Sequence, residues 1–225
     1  MKPTRTKTLA LELDGAPAST TLLSYPADQA HAALLLAHGA GAPQTHPWMV
    51  AISEAIARLG VAVYTFNFLY TEAGRRLPDK NPLLEATFRA VIREVRAEVE
   101  TPLFIGGKSM GGRIATQVAA RGEPGLSGLV LLGYPLHPPG KPLQLRWTHM
   151  PKMTLPMLFI QGERDAFGPV AELAPRALAL HSRARILAIE GGDHSLATPK
   201  RSGVTLEQTF SRAAGEIARF TRDTI

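Results

Sequence analysis

The sequence predicts an α/β protein with one doubly wound, mostly parallel sheet, helices on both faces of the sheet, and no large lid domain. Short apolar runs alternate with helical repeats along most of the chain. Several runs are continuously apolar, which is typical of parallel strands covered on both faces. No internal repeat or low-complexity linker divides the 225 residues, so we expect one domain over residues 1–225.

Seven strands are predicted from runs of aliphatic and β-branched residues. In chain order they are Thr20–Ser24, Ala33–Ala37, Val61–Phe66, Leu103–Ile105, Leu126–Leu132, Met157–Ile160 and Ile186–Ile189. The amino-terminal Met1–Thr6 is basic, and charges interrupt the apolar residues of the following Leu9–Asp14. We therefore expect neither a signal peptide nor a membrane span there.

Helices are predicted where apolar residues recur at helical spacing between the strands. These patterns run from Met49 to Leu59, Leu84 to Val99, Met110 to Val118 and Leu206 to Phe220. The longest irregular stretch, Tyr134–Pro156, is rich in proline and glycine and too short for an independent lid domain. An open or lightly covered site is expected.

The composition excludes several classes of function. The chain has no cysteine, which rules out a disulfide framework, a thiol nucleophile and a cysteine zinc site, and which suits a cytoplasmic protein. The 25 Lys and Arg against 19 Asp and Glu give a formal net charge of +6. Because these basic residues are dispersed, we expect no nucleic-acid partner and no membrane partner. The oligomeric state is left open.

Gly107-Lys108-Ser109-Met110-Gly111 is the most informative motif, because it follows an apolar run and begins a helical pattern. A Gly-x-Ser-x-Gly set on a strand-to-helix turn is typical of a nucleophile elbow, with Ser109 as the nucleophile. The same residues resemble the end of a phosphate-binding P-loop. That loop requires a glycine where this chain has Pro102, which argues against nucleotide binding.

A serine nucleophile needs a base, and the base needs an acid that holds its tautomer. The expected chain order is Ser, Asp or Glu, then His. Asp165 follows the predicted strand Met157–Ile160 and is the predicted acid, with Glu163 as the nearby competitor. His194, after Gly191-Gly192 and the last predicted strand, is the predicted base. No metal or other cofactor is expected.

Acyl transfer also needs donors for the oxyanion on the substrate carbonyl. One is predicted to be the backbone N–H of Met110, which follows the nucleophile. The second is expected in the loop after Ala33–Ala37, where Ala40 is the first choice and Gly39 the next. His38 is expected to support this loop through hydrogen bonds.

Five segments between residues 32 and 197 carry a resemblance to a known family. They are His38-Gly39-Ala40-Gly41-Ala42-Pro43, Phe66-Asn67-Phe68-Leu69-Tyr70, Gly106-Gly107-Lys108-Ser109-Met110-Gly111-Gly112-Arg113, Gly133-Tyr134-Pro135-Leu136-His137-Pro138-Pro139-Gly140-Lys141-Pro142 and Gln161-Gly162-Glu163-Arg164-Asp165-Ala166-Phe167-Gly168. They resemble small α/β-hydrolases related to the testis-expressed and chromatin-complex KANL-type proteins, which are in turn similar to dienelactone hydrolases. The resemblance implies a compact α/β-hydrolase fold with poorly defined substrates.

One departure from the dienelactone hydrolases limits what this resemblance implies. Their nucleophile is typically cysteine, whereas this chain has Ser109 and no cysteine, so lactone chemistry is not carried over. The family also includes eukaryotic members regarded as assembly subunits, which keeps a non-catalytic role open.

Candidate substrate-binding residues lie mainly at the carboxyl ends of two predicted strands, where open α/β sheets bind ligands. They are His38, Asn67, Tyr70, Arg75, Tyr134 and His137, with Arg76 beside Arg75. Arg75 is a candidate clamp for a substrate carboxylate; the alternative is a solvated side chain.

The leading hypothesis is a metal-independent serine hydrolase that acts on a small-molecule carboxylic ester or thioester through an acyl-enzyme on Ser109. A serine peptidase or amidase would use the same residues. An interaction module that keeps the fold without turnover is the alternative from another class.

Overall fold

The computed structural model describes residues 5–13, 16–180 and 183–225, in which a single sheet carries helices on both faces. The strands are β1 (Arg5–Leu13), β2 (Ala16–Tyr25), β3 (Ala32–Ala37), β4 (Val61–Phe66), β5 (Leu103–Lys108), β6 (Leu126–Leu132), β7 (Met157–Gly162) and β8 (Ala184–Ile189). The α-helices are α1 (Pro47–Ala57), α2 (Leu69–Glu72), α3 (Asn81–Glu98), α4 (Met110–Ala120), α5 (Val170–Leu180) and α6 (Leu206–Thr224).

The strand order across the sheet is β1-β2-β4-β3-β5-β6-β7-β8. β1 and β2 form an antiparallel hairpin, and β2 also runs antiparallel to β4. Every other pairing is parallel. Successive strands are added on one side of β3 and then on the other, so the connecting helices cover both faces of the sheet. The described residues contain no additional lid domain. The predicted fold class is confirmed.

Each face of the sheet has its own apolar core, because side chains alternate between faces along a strand. In β3, Leu35 belongs to the core covered by α3, α4 and α5. Leu34 and Leu36 belong to the opposite core, which is covered by α1 and α6. The continuous apolar runs that predicted buried strands therefore fill both cores at once.

The structure adds three elements to the predicted pattern: strand β1, the four-residue helix α2 and helix α5. In β1, Leu9, Leu11 and Leu13 are buried while the residues between them are exposed. This alternation is typical of an edge strand with one solvent-exposed face. The interrupting charges are the reason why the sequence did not predict β1 as a strand. Helix α5 contains Pro175, which disrupts the helical signal.

Residues 1–4 of the basic amino-terminal segment lie outside the described ranges. Among the helices in those ranges, none combines the length and the apolar character needed to cross a membrane.

Candidate active site

The sequence-predicted site residues lie at one edge of the sheet. Ser109 follows β5, and the loop that contains Gly39 and Ala40 follows β3. Asp165 follows β7, and His194 lies in the loop after β8. These four strands are parallel, so their carboxyl ends share one edge, which is where open α/β sheets build their sites.

Ser109 has the strained backbone of an elbow, with φ 51° and ψ −114° directly before the first residue of α4. Neighbouring backbone approaches so closely that side chains are excluded on both sides. A Cβ on Gly107 would lie 2.6 Å from the carbonyl oxygen of Ala37, and a Cβ on Gly111 would lie 2.4 Å from the same oxygen. The two motif glycines are therefore required for packing the elbow against β3.

An unbroken chain of hydrogen bonds joins Ser109, His194 and Asp165. The Nε2 atom of His194 lies 2.8 Å from the Ser109 Oγ atom. Its Nδ1 atom lies 2.9 and 2.8 Å from the two carboxylate oxygens of Asp165. Because a carboxylate only accepts, Nδ1 carries the proton and Nε2 is left to accept from the serine hydroxyl.

Asp165 is buried and held by three donors. Besides His194, the side-chain amide of Gln161 donates to Oδ2 at 2.9 Å and the backbone N–H of Phe167 donates to Oδ1 at 2.8 Å. The Phe167 ring also lies against the His194 imidazole, with 4.2 Å between ring centroids. The competing carboxylate, Glu163, instead accepts from the backbone N–H of Gly191 at 2.9 Å.

The predicted oxyanion donors surround Ser109. Met110 is the first residue of α4, so its N–H has no acceptor inside the helix. Gly39 lies against the elbow, since a Cβ there would be 3.6 Å from the Ser109 Cβ atom. Gly39 and Ala40 both line the cavity that contains Ser109. Met110, Gly39 and Ala40 thus all lie beside the nucleophile, and the catalytic role of their N–H groups stays a prediction.

The cavity beside Ser109 has a volume of about 260 Å³. Its lining residues are Gly39, Ala40, Ala42, His46, Trp48, Met49, Lys108, Ser109, His194 and Ser195. Sequence reasoning missed the side chains from α1 and also Lys108, which it treated only as a spacer in the motif. A larger surface groove of about 480 Å³ lies between α1 and α6, away from the nucleophile.

Lys108 is the unexpected member of this cavity. Its ammonium donates to the backbone carbonyl of His194 and lies 5.6 Å from the centre of the Trp48 ring. Burial lowers the pKa of Lys108 to about 8, although the negative charges of Asp165 and Asp193 oppose that shift. The position next to Ser109 in the motif is a signal that could have identified it.

Three of the predicted substrate-binding residues are instead structural supports of the neighbouring loops. His38 is fully buried; its ring nitrogens bond to the carbonyl of Gly39 at 2.8 Å and the N–H of Phe68 at 3.1 Å. Burial lowers the His38 pKa. Tyr70 is buried as well, 1 % exposed. The Asn67 amide accepts from the N–H of Gln44. None of the three lines the cavity beside Ser109, so the structure does not place them in contact with a substrate there. The hydrogen bonds of His38 match its expected support of this loop.

The other three do not line the cavity either. Arg75 is exposed and forms an ion pair with Asp79 at 2.6 Å. The Tyr134 hydroxyl is buried and donates to the carbonyl of Arg146 at 2.8 Å, and burial raises its pKa. The His137 ring is held by the Pro138 carbonyl and Glu172. Like the first three, these residues lie outside the cavity lining, and other groups of the protein engage their side chains.

Comparisons with known proteins agree with the fold. A family model described as an alpha/beta hydrolase domain matches residues 30–222. The esterase domain of a Rhodothermus marinus protein has a TM-score of 0.72 at 19% identity, covering 98% of this chain and 99% of that chain. Dienelactone hydrolase from Anabaena variabilis has a TM-score of 0.74 at 18% identity, covering 97% of each. A Xanthomonas campestris a/b serine hydrolase without a lid has a TM-score of 0.67 at 18% identity, covering 99% and 94%. At these identities the likeness shows the shared fold.

Proposed function

The chain belongs to the alpha/beta hydrolase domain family, and from this premise we propose that it is a serine hydrolase that cleaves small carboxylic esters or thioesters. One observation carries the proposal. Ser109, His194 and Asp165 form a continuous line of hydrogen bonds of 2.8 to 2.9 Å at the carboxyl edge of the sheet. This is the arrangement that turns a serine hydroxyl into a nucleophile.

In the first half of the reaction, the Ser109 Oγ atom attacks the acyl carbonyl carbon while His194 Nε2 takes the hydroxyl proton. Asp165 holds the proton on Nδ1 and stabilises the imidazolium that forms. The carbonyl oxygen becomes an oxyanion, which accepts hydrogen bonds from the N–H groups of Met110 and Ala40. Collapse of this intermediate breaks the bond to the leaving group, which receives its proton from His194 Nε2.

In the second half, a water molecule replaces the leaving group beside His194. Nε2 removes a proton from this water as its oxygen attacks the acyl-enzyme, and the same donors hold the second oxyanion. When the ester bond to Oγ breaks, His194 returns the proton to Ser109. The carboxylic acid product leaves and the starting state is restored.

The size of the cavity supports a small substrate. At about 260 Å³ it is slightly smaller than the usual range of ligand pockets, about 300–1,000 Å³, so we propose a short acyl chain. The side chains of Trp48 and Met49 form its apolar wall. The KANL-like segments support placement in that subfamily, and the lack of cysteine supports a cytoplasmic protein.

Labelling with a fluorophosphonate, followed by turnover of p-nitrophenyl esters of increasing chain length, tests the proposal. Wild-type protein is expected to label once per chain and to prefer short acyl groups. Ser109→Ala is expected to lose labelling and to lower kcat by on the order of 10⁴ to 10⁶. Unchanged unfolding in urea is the control, because this substitution removes one hydroxyl and no core volume.

Other outcomes distinguish the alternatives. Wild-type protein that neither labels nor turns over any ester or thioester would contradict the proposal and favour an interaction module. Cleavage of amides with no measurable ester turnover would favour a peptidase or amidase. Activity that persists in Ser109→Ala would refute the choice of nucleophile.

The proposed chemistry needs no metal ion. Ser109 is the nucleophile, His194 is the base, and backbone N–H groups stabilise the oxyanion. Within residues 5–13, 16–180 and 183–225, no group of three or more His, Asp or Glu side chains is placed to hold a metal. We therefore expect turnover to persist in EDTA. Inhibition by EDTA that added zinc reverses would contradict this expectation.

A further inference from the structure

Lys108 places a positive charge between the strand that carries the nucleophile and the loop that carries the base. Its backbone belongs to β5, immediately before Ser109, while its ammonium donates to the main-chain carbonyl of His194. The space it occupies is kept clear by Gly133. A Cβ there would lie 3.0 Å from the Lys108 Nζ atom and 2.8 Å from the same carbonyl oxygen.

Burial of this ammonium works against folding. The folded-state pKa is about 8, below the ordinary value of 10.5, so the charged form is less stable in the folded protein than in the unfolded chain. This penalty is fully present below pH 8 and is relieved as pH rises from about 8 to 10.5. A methionine of similar length would fill the same space without a charge. Desolvation of the ammonium therefore gives no reason for a lysine here, whereas its hydrogen bond to the His194 carbonyl does.

We propose that Lys108 is a positioning residue, whose ammonium holds the backbone of His194 so that the imidazole reaches both Asp165 and Ser109. The inference rests on the proposed serine hydrolase function. The Lys108–His194 hydrogen bond joins β5 directly to the loop after β8. It adds to the hydrogen bond between the Ser109 and His194 side chains.

A second donor acts on the adjoining peptide group. The indole N–H of Trp48 donates to the Ser195 carbonyl at 2.8 Å, so the carbonyls of His194 and Ser195 are held by two neighbouring side chains. The Lys108 ammonium lies 5.6 Å from the centre of the Trp48 ring, which favours its charged form. Together these contacts fix two consecutive peptide units of the loop.

The charge state of Lys108 makes the contact dependent on pH. The charged and titratable groups around it are Asp165, Asp193, His194 and His46. Below pH 8 the ammonium makes a charge-assisted hydrogen bond, and above it a neutral amine makes a weaker one. We therefore expect kcat of the wild-type protein to decline as pH rises through about 8.

The first experiment compares Lys108→Met with wild type and with Lys152→Met, a control at an exposed lysine. On neutral p-nitrophenyl acetate, Lys108→Met is expected to lower kcat about 10- to 100-fold, because small misplacement of a catalytic group costs up to about 100-fold. KM is expected to change less than about threefold, and the decline of kcat above pH 8 is expected to disappear. The melting temperature is expected to stay equal or to rise, which a merely structural lysine would not produce.

Chemical rescue gives a second test, because the chain has no cysteine. Lys108→Cys introduces a single thiol, and alkylation with 2-bromoethylamine restores an ammonium at nearly the original length. This treatment is expected to recover most of the lost kcat, whereas alkylation with iodoacetamide, which adds a neutral amide, is expected to recover little. Mass spectrometry establishes that each product is complete.

An NMR measurement tests the inference independently of turnover. The proton that His194 Nδ1 shares with Asp165 is expected at low field in wild type and to broaden or vanish in Lys108→Met. Wild-type kcat and an unchanged low-field signal in Lys108→Met would overturn the inference. So would a raised KM confined to carboxylated esters, which would make Lys108 a substrate contact. Absence of labelling and turnover in wild type would refute the proposed function, and the low-field signal would still decide the role of Lys108.

Discussion

Replacing Asp165 by asparagine tests how the acid directs the proton on His194. The carboxylate accepts from His194 Nδ1, from the Gln161 side chain and from the Phe167 backbone N–H. Asparagine is isosteric but has only one accepting oxygen. When the asparagine NH₂ group faces His194, it donates to Nδ1, and the imidazole proton moves to Nε2. A protonated Nε2 cannot accept the Ser109 proton.

The expected loss in kcat is about 10⁴-fold, the size found when a triad aspartate is made neutral with its geometry kept. The contacts also predict a loss of stability. The new NH₂ group must face either the Phe167 N–H or the Gln161 amide, since each donates to a different oxygen. Gln161 cannot rotate without losing its bonds to Tyr134 and Gly168. One buried donor is left unmatched, at a cost of about 1–3 kcal/mol.

The assay is steady-state turnover of a p-nitrophenyl ester together with urea unfolding. Glu163→Gln is the matched control, because it makes the same chemical change two residues away. The Glu163 carboxylate accepts from the Gly191 N–H and not from Ser109 or His194. We expect it to change kcat less than about threefold. The reasoning is refuted if Asp165→Asn keeps activity within tenfold of wild type, or if the two variants lose activity equally.

Three further predictions concern the elbow, acid stability and substrate charge. Gly111→Ala places a Cβ 2.4 Å from the Ala37 carbonyl oxygen, so we expect a loss of about 1–3 kcal/mol or more in urea unfolding; an unchanged midpoint would contradict it. Burial lowers the His149 pKa to about 4, so stability should fall as pH drops from 6.5 to 4, where only the unfolded chain takes up the proton; His149→Gln should flatten this profile. Arg75→Ala should change KM equally for carboxylated and neutral esters, because Arg75 pairs with Asp79, and a selective increase for the carboxylated ester would restore it as a substrate contact.

Sequence reasoning succeeded where the signal is local and periodic. The aliphatic and β-branched runs predicted seven of the eight strands in the described residues, because most of these strands are buried on both faces. The edge strand β1 was not predicted, because only alternate residues of its second half are buried. For the candidate site, motif order selected Ser109, Asp165 and His194, and the structure brings their side chains into contact. Chain order suffices here because parallel strands deliver their following loops to one edge.

The sequence by itself thus determined the doubly wound sheet, the elbow and the edge at which the site forms. Only the tertiary structure decided which side chains face the cavity. Tyr70 lies in α2, shortly after β4, and Lys108 ends β5. Tyr70 is nevertheless buried in a core, while Lys108 lines the cavity beside His194. A position in the chain places a residue at an edge, but the direction of its side chain depends on distant groups: an apolar core surrounds Tyr70, and the His194 carbonyl accepts from Lys108. Those partners come from segments far apart in sequence and meet only in the folded chain.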